Sequence, residues 1–439
     1  MSTAATPPRP GSDAGPGGAG AGAGAAKRLS RRTLCILLLL VAAVIAADMW
    51  VEFTHDTFDW HDPGTVPNMD FAQYYAGGHN WMLGLDPYVN HPGAPGAIAH
   101  PRMNQPEITG YIYPPTLLPL FGALSKLTYE TARTVWLAID VAAFALLIAV
   151  AALLNKGRRL ETVTAAVLLT VVSFPFYWHV TYGQIDMVVA ALTICAFLLY
   201  PRWRGWPSAL LFAVAIATKV TPVVILAAAV AYYRDWRLLL RALVCGAAVF
   251  AVSLLAVDWS LFAEYATKIL PAISTPDPSP YNQTPLRFWW RYPGVVKAVS
   301  VLGYAALVWI AWVAGRTSRR LDASQRRVDP RTEKYALLLF SVLMMLFFSP
   351  LAWQQAYVWP IVPLALVFVS PPPREKPWAL FVLGVAAFFI SAQVVQLRGL
   401  DMPNIAGAGL ALVTLLLAWL PLDQRAGGDV PARGGAPGG

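Results

Sequence analysis

Residues 208–233 read "SALLFAVAIATKVTPVVILAAAVAYY", an apolar run broken, after Ser208, only by Thr218, Lys219, Thr221 and Pro222. Before it stands "PRWRGW" and after it "RDWRLLLR". Read as one continuous helix, the run places strongly basic ends on opposite sides of a bilayer. Read as two half-length helices breaking at Lys219–Pro222, it returns both basic ends to one side. A proline inside a helix removes a ladder hydrogen bond and clashes with the preceding turn. Broken helices are tolerated at membrane depth where they line a cavity. The hairpin at 207–233 is the reading that charge favours.

The rest of the chain has the same character. Its 439 residues are 57% hydrophobic and 13% charged, against about a quarter charged in soluble domains. Further apolar runs at 33–50, 132–154, 161–180, 184–200, 238–257, 295–315, 335–350, 356–371, 377–396 and 404–421 each approach the roughly 20 residues needed to cross a bilayer. The fold class expected is an all-α polytopic membrane protein. The net charge of +9 indicates basic loops on the cytoplasmic side, not a nucleic-acid partner. Cys35, Cys195 and Cys245 all fall within apolar runs and read as small core residues. The stretch 1–32, rich in Gly, Ala and Pro, and the tail 422–439 read as disordered cytoplasmic ends. The first apolar run reads as an uncleaved signal-anchor.

With most basic residues inside, two long segments face outward, 51–131 and 258–294. The six histidines, His55, His61, His79, His91, His100 and His179, fall on that side or at its border. Within the first segment lies "NMDFAQYYAGGHNWMLGLDPY", residues 68–88. Its apolar side chains Phe71, Tyr74, Tyr75, Trp81 and Met82 follow helical spacing, as in a helix lying along the membrane surface and ended by a turn at Gly84–Tyr88. Asp70 stands at its start, either as a helix cap or as a reactive carboxylate. Lys219 is an ionisable group at membrane depth, which marks a functional site by default; the plainer reading is snorkelling to the interface. Asp140 is read as pairing with a neighbour, and Asp186 as capping the helix after the Tyr-Gly-Gln turn. In the second segment Arg287 and Arg291 flank Trp289 and Trp290. An aromatic belt accounts for the tryptophans, whereas the arginines suit a phosphate or carboxylate.

Five short motifs then occur in order: "DFAQYYAGGHNWMLGLDPY", "YIYPPTLLPLFGAL" at 111–124, "YGQIDMVVAAL" at 182–192, "AIATKVTP" at 215–222 and "SPLAW" at 349–353. In this order and spacing the chain resembles glycosyltransferase family 87 of the GT-C superfamily, over roughly residues 33–421. The resemblance implies a bundle of about twelve transmembrane segments, two of them half-length, with a large outer loop bearing surface-lying helices. It implies a polyprenyl-phosphate-linked sugar donor, a glycolipid or cell-envelope glycan acceptor, and a site on the outer face of the bacterial cytoplasmic membrane. It also implies that Asp70 is the catalytic base. Direct transfer from a lipid phosphate inverts the anomeric carbon and needs one base for the acceptor hydroxyl. Lys219, Arg287 and Arg291 are then the expected holders of the leaving phosphate. Tyr74, Tyr75, Trp81 and Tyr88 offer ring faces to sugars, with Gln184 and Gln354 as hydrogen-bonding partners. "SPLAWQQAY" departs from relatives that carry histidines after this motif, which leaves the phosphate more dependent on Lys219 and the arginines. A sugar monophosphate carries less charge than a pyrophosphate, so no cofactor and no obligatory metal are expected.

Two other readings of the residues stand beside this one. A broken helix with an intramembrane lysine also marks secondary transporters, although no internal repeat is visible and a transporter needs no outer loop of this size. A glycan-binding or assembly protein without catalysis is the third.

Overall fold

The computed structural model describes residues 30–57, 69–91, 93–98, 111–200, 205–279, 282–321, 329–370 and 420. Among them the chain is helical, and its one β contact is an isolated bridge between Asn282 and Trp353. The expected spans at 377–396 and 404–421, the tail 422–439 and nearly all of the tail 1–32 lie outside the described residues.

Among the described residues three helices are long and apolar enough to cross a membrane: α4 (Tyr129–Leu154), α10 (Trp236–Ser253) and α13 (Pro293–Arg320). Their exposure pattern suits a lipid solvent. On α10 the buried stripe is Leu238, Ala242 and Cys245, while Leu240, Leu243, Val244 and Val252 face outward. On α13 the buried stripe includes Ser300, Gly303, Ala311, Ala314 and Gly315, the small residues that let helices approach closely where lipid offers no hydrophobic drive.

The expected span at 161–180 is not continuous. α5 (Arg159–Val171) and α6 (Phe174–Tyr182) meet at 69°. Ser173 caps α6 by accepting from Phe176 N–H, and Pro175 sits in its first turn, so the chain restarts a helix where the sequence reading ran one through. The pair counts as a fourth span if taken together. The remaining apolar helices are shorter: α7 (Asp186–Leu199), α8 (Trp206–Thr218), α9 (Val223–Tyr233) and α15 (Ile361–Val369). The break between α8 and α9 falls at Lys219–Pro222, as the proline dictates. Each half finds its main partner elsewhere, α8 on α7 and α10, α9 on α13 and α14 (Pro330–Phe347). Before these, α1 (Arg31–Thr57) lies on α5 and α6.

The helix expected on the membrane surface, α2 (Met69–Met82), is instead an interior element. Every residue from Asp70 to Gly78 is buried. Its aromatic side chains pack on α4, while Gly77 and Gly78 admit the following segment and α3 (Leu118–Leu124) at close range. A Cβ on Gly77 would come 2.7 Å from Tyr111 Cβ, and one on Gly78 would meet the Phe121 carbonyl carbon and stand 2.5 Å from Gly122 N. The helix ends as expected, with Gly84 at φ 73 and Leu85 N–H donating to Asn80 O. Because the obstacle at Gly78 is backbone, Gly78→Ala is expected to destabilise the protein by about 2–3 kcal/mol. Gly246→Ala, on α10 with open space around it, is expected to be neutral or slightly stabilising. Thermal melts of the two variants in detergent check the contrast.

Candidate active site

The turn between α6 and α7 is the hub. α6 closes on Gly183, which adopts the left-handed conformation at φ 66, with Gly183 N–H and Gln184 N–H both directed to His179 O. A side chain at 183 is excluded twice over, since a Cβ would lie 2.7 Å from Phe71 Cβ and 3.1 Å from Arg133 Cζ. α4 holds the turn from behind: Trp136 Nε1 donates to Gly183 O at 2.8 Å and Arg133 donates to Val180 O. Two side chains leave this turn two residues apart, Gln184 and Asp186.

Gln184 faces α2. Its Nε2 donates to the Asp70 carboxylate, and its Oε1 accepts from Tyr113 Oη at 3.1 Å and Tyr74 Oη at 3.4 Å. An ionised Asp70 can only accept, so it takes the N–H end of the amide and leaves the oxygen to the two phenols. Burial raises both phenols well above their usual range, and they remain donors at any physiological pH. Asp70 is 8% exposed. Burial raises its carboxyl to about 7, the nearby Asp186 charge adding to the effect while Lys219, Gln184 and His179 oppose it. A carboxylate with that value is poised to take a proton near neutrality.

Asp186 faces the break between α8 and α9. The helix cap there is Ile185, and Asp186 is instead an ion-pair partner: Lys219 Nζ reaches its two oxygens at 2.8 and 2.9 Å. Trp359 Nε1, from the end of a short turn at Gln354–Val358, donates to Asp186 Oδ1 at 2.8 Å. Lys219 is therefore not the isolated cation that the sequence presented. Its side chain is 25% exposed, its Nζ lies 5.9 Å from the centre of the Tyr113 ring, and with two N–H groups on Asp186 it keeps a third. Below this group His179 and Asp140 form a second buried pair at 2.6 Å, which gives Asp140 the neighbour expected for it.

Asp70, Tyr74, Gln184 and Lys219 thus come together, joined by Asp186, Tyr113 and Trp359. The other candidates stand apart. Tyr75 donates to Leu127 O and packs on Tyr129. Trp81 lies on Gly122. Tyr88 donates to Tyr113 O and packs, with its ring tilted, between Tyr111 and Tyr265. Of the rings expected to present faces to sugars, Tyr75 and Tyr88 are buried against protein and Trp81 is half-buried. Arg287 lies on Phe288, donates to Asn282 O, and sits beside Tyr357; Arg291 is exposed on Trp290. Gln354 is buried on the turn that packs against α6.

The profile of glycosyltransferase family 87 matches residues 111–350, more than half of the chain; Gln184, Asp186 and Lys219 lie within the match and Asp70 precedes it. A polyprenol-phosphate-mannose-dependent alpha-(1-2)-phosphatidylinositol pentamannoside mannosyltransferase of Mycobacterium tuberculosis is 26% identical over 416 residues, 90% of this chain and 89% of that protein. A polyprenol-phosphate-mannose-dependent alpha-(1-2)-phosphatidylinositol mannoside mannosyltransferase of Mycolicibacterium smegmatis is 27% identical over 381 residues, 78% of each. The match over more than half of the chain shows the family, and helices of membrane length and apolarity agree with it: the chain belongs to glycosyltransferase family 87 and is a membrane glycosyltransferase.

Proposed function

We propose that this chain transfers a single mannosyl residue from a polyprenyl-phosphate donor to a glycolipid acceptor of the phosphatidylinositol mannoside class, with inversion, on the outer face of the cytoplasmic membrane. The observation that carries the reading is Asp70, held by Gln184 next to the Lys219–Asp186 pair. The names of the mannosyltransferases it resembles support the donor and the acceptor class. In the proposed reaction the acceptor hydroxyl oxygen bonds to C1 of the sugar as the bond from C1 to the phosphate oxygen breaks. Asp70 takes the hydroxyl proton, and polyprenyl phosphate leaves with the electron pair.

Lys219 Nζ is the proposed contact to that phosphate, while Arg287, engaged with Asn282 O and Phe288, stands apart from it. Asp186 and Trp359 hold the ammonium in place. Tyr74 and Tyr113 act through Gln184, keeping its amide aimed at Asp70. The short apolar helices belong to the proposed bundle of about twelve spans.

The purified chain in detergent, given polyprenyl-phosphate [14C]mannose and a phosphatidylinositol mannoside, is expected to move label to the glycolipid and to release polyprenyl phosphate in equal amount. Activity is expected to persist in chelator. No transfer with that donor, together with transport of a solute by the chain in vesicles, would sink the reading.

A further inference from the structure

Far along the chain from Asp70, a second group of charges gathers where α9 ends against α13. α9 stops at Tyr233, and Arg234 follows in the left-handed region with φ 52. Among the described residues every other positive φ belongs to glycine, and glycine or asparagine suits such a helix end better than arginine. The backbone therefore gives no reason for arginine at this position. Gly315 presses on the same helix end, where a Cβ would strike Tyr232 O. The turns of α13 around Gly315 carry Trp312, Arg316 and Arg319.

The guanidinium of Arg234 lies 5.7 Å from the centre of the Trp312 ring, and that of Arg316 lies 5.5 Å from the same ring. Arg319 donates Nη1 to Tyr232 O at 2.8 Å and stands near enough to Arg234 for the two charges to interact. The acids close by are engaged elsewhere. Asp235 accepts from Tyr200 Oη and from Arg237 N–H, and Glu333, 3% exposed, accepts from Tyr232 Oη at 2.7 Å. Among the described residues no ion pair involves Arg234, Arg316 or Arg319. Three cations held together, with no described carboxylate at ion-pair distance from them, repel one another, so the arrangement favours an anion from outside the protein.

The apolar surface beside the group indicates which anion. Val301, Leu302 and Trp309 on α13 are each more than 60% exposed, and Trp309 stacks on Trp312 at 5.1 Å. Apolar surface on this membrane-length helix thus leads through two stacked tryptophans, the residues enriched at a bilayer boundary, to the arginines. A free phosphate would use only the arginines; a phospholipid uses both parts. We infer that Arg234 and Arg316, over Trp312, together with the neighbouring Arg319, bind the phosphodiester of an anionic phospholipid whose acyl chains lie along α13. Guanidinium forks match phosphate oxygens.

The test uses the full chain in phosphatidylcholine nanodiscs titrated with phosphatidylglycerol, read by native mass spectrometry and by thermal midpoint. Wild type is expected to retain phosphatidylglycerol in preference to phosphatidylcholine. Arg234→Asn with Arg316→Gln keeps a residue that tolerates the left-handed turn and removes two charges. The pair is expected to weaken retention about thirtyfold, roughly fivefold per arginine. Arg331→Gln, exposed at the start of α14, is expected to change nothing. Arg316→Gln alone, about fivefold weaker, carries the test if the double variant does not fold. Wild-type retention in these variants, or equal retention of phosphatidylcholine, overturns the inference. So does a saturable thermal shift of the same size with inorganic phosphate, which would make this a free-anion site.

Discussion

Asp70→Asn is expected to abolish mannosyl transfer by three or more orders of magnitude while the protein folds and, above neutral pH, gains stability. Positioned acid–base groups contribute about 10²–10⁴-fold to rate, and a sole base lies at the upper end. Asparagine keeps the size of the side chain and an oxygen for Gln184 Nε2, so the Gln184–Tyr74–Tyr113 network survives. The stability change has a definite sign. Asp70 holds its proton up to about pH 7 in the fold but releases it near 3.8 when unfolded. Between those values the unfolded state binds fewer protons, so this group makes stability fall as pH rises. Above about 7 the penalty is complete, on the order of 4 kcal/mol as an upper figure. The variant lacks it, so its advantage should be absent near pH 3.5 and largest near pH 8. The wild-type rate should fall on the acid side with a midpoint near 7. Full activity in Asp70→Asn with a loss of stability would return Asp70 to helix capping.

How much of this was legible in the sequence differs from one element to another. The helices and the α8–α9 break follow from composition and from Pro222, which act locally. The α5–α6 break had its signal too, a serine cap with proline two residues later, but the apolar run across it was the louder pattern. The position of α2 was misread for a different reason. The spacing of Phe71, Tyr74 and Tyr75 shows which face is apolar and says nothing about what covers it. The two glycines held the missing information. Gly77 and Gly78 leave room for Tyr111 and for the Phe121–Gly122 backbone to approach, which a helix resting on lipid does not require. The Asp70–Gln184 and Asp186–Lys219 contacts join residues with sequence separations of 114 and 33. No periodicity spans such distances, and Asp186 beside a turn looks like any capping aspartate. Trp359 and Arg133 were hidden in the same way, as one more aromatic and one more basic residue at the edge of an apolar run.

The pairing of Lys219 with Asp186 makes the lysine separable into two roles. Lys219→Ala removes the ammonium and leaves Asp186, 2% exposed, with Trp359 Nε1 as its remaining recorded donor among the described residues. Breaking a buried pair from one side costs about 3–5 kcal/mol. Because the lysine side chain is a quarter exposed, water enters and the lower end is expected, about 3 kcal/mol. Turnover should fall as well, both through the lost phosphate contact and through Asp70. Lys219 is the largest influence lowering the Asp70 value, so the acid limb of any residual activity should move to higher pH. Lys219→Ala combined with Asp186→Asn then separates structure from chemistry. Removing both charges restores most of the stability, since no carboxylate is left unpaired, and it removes opposing influences on Asp70, so the acid limb should return toward 7. If Lys219 acts on the leaving phosphate, the double variant is stable and still slow, with the loss concentrated in kcat. A purely architectural lysine predicts the opposite, recovery of turnover in step with recovery of the melting temperature.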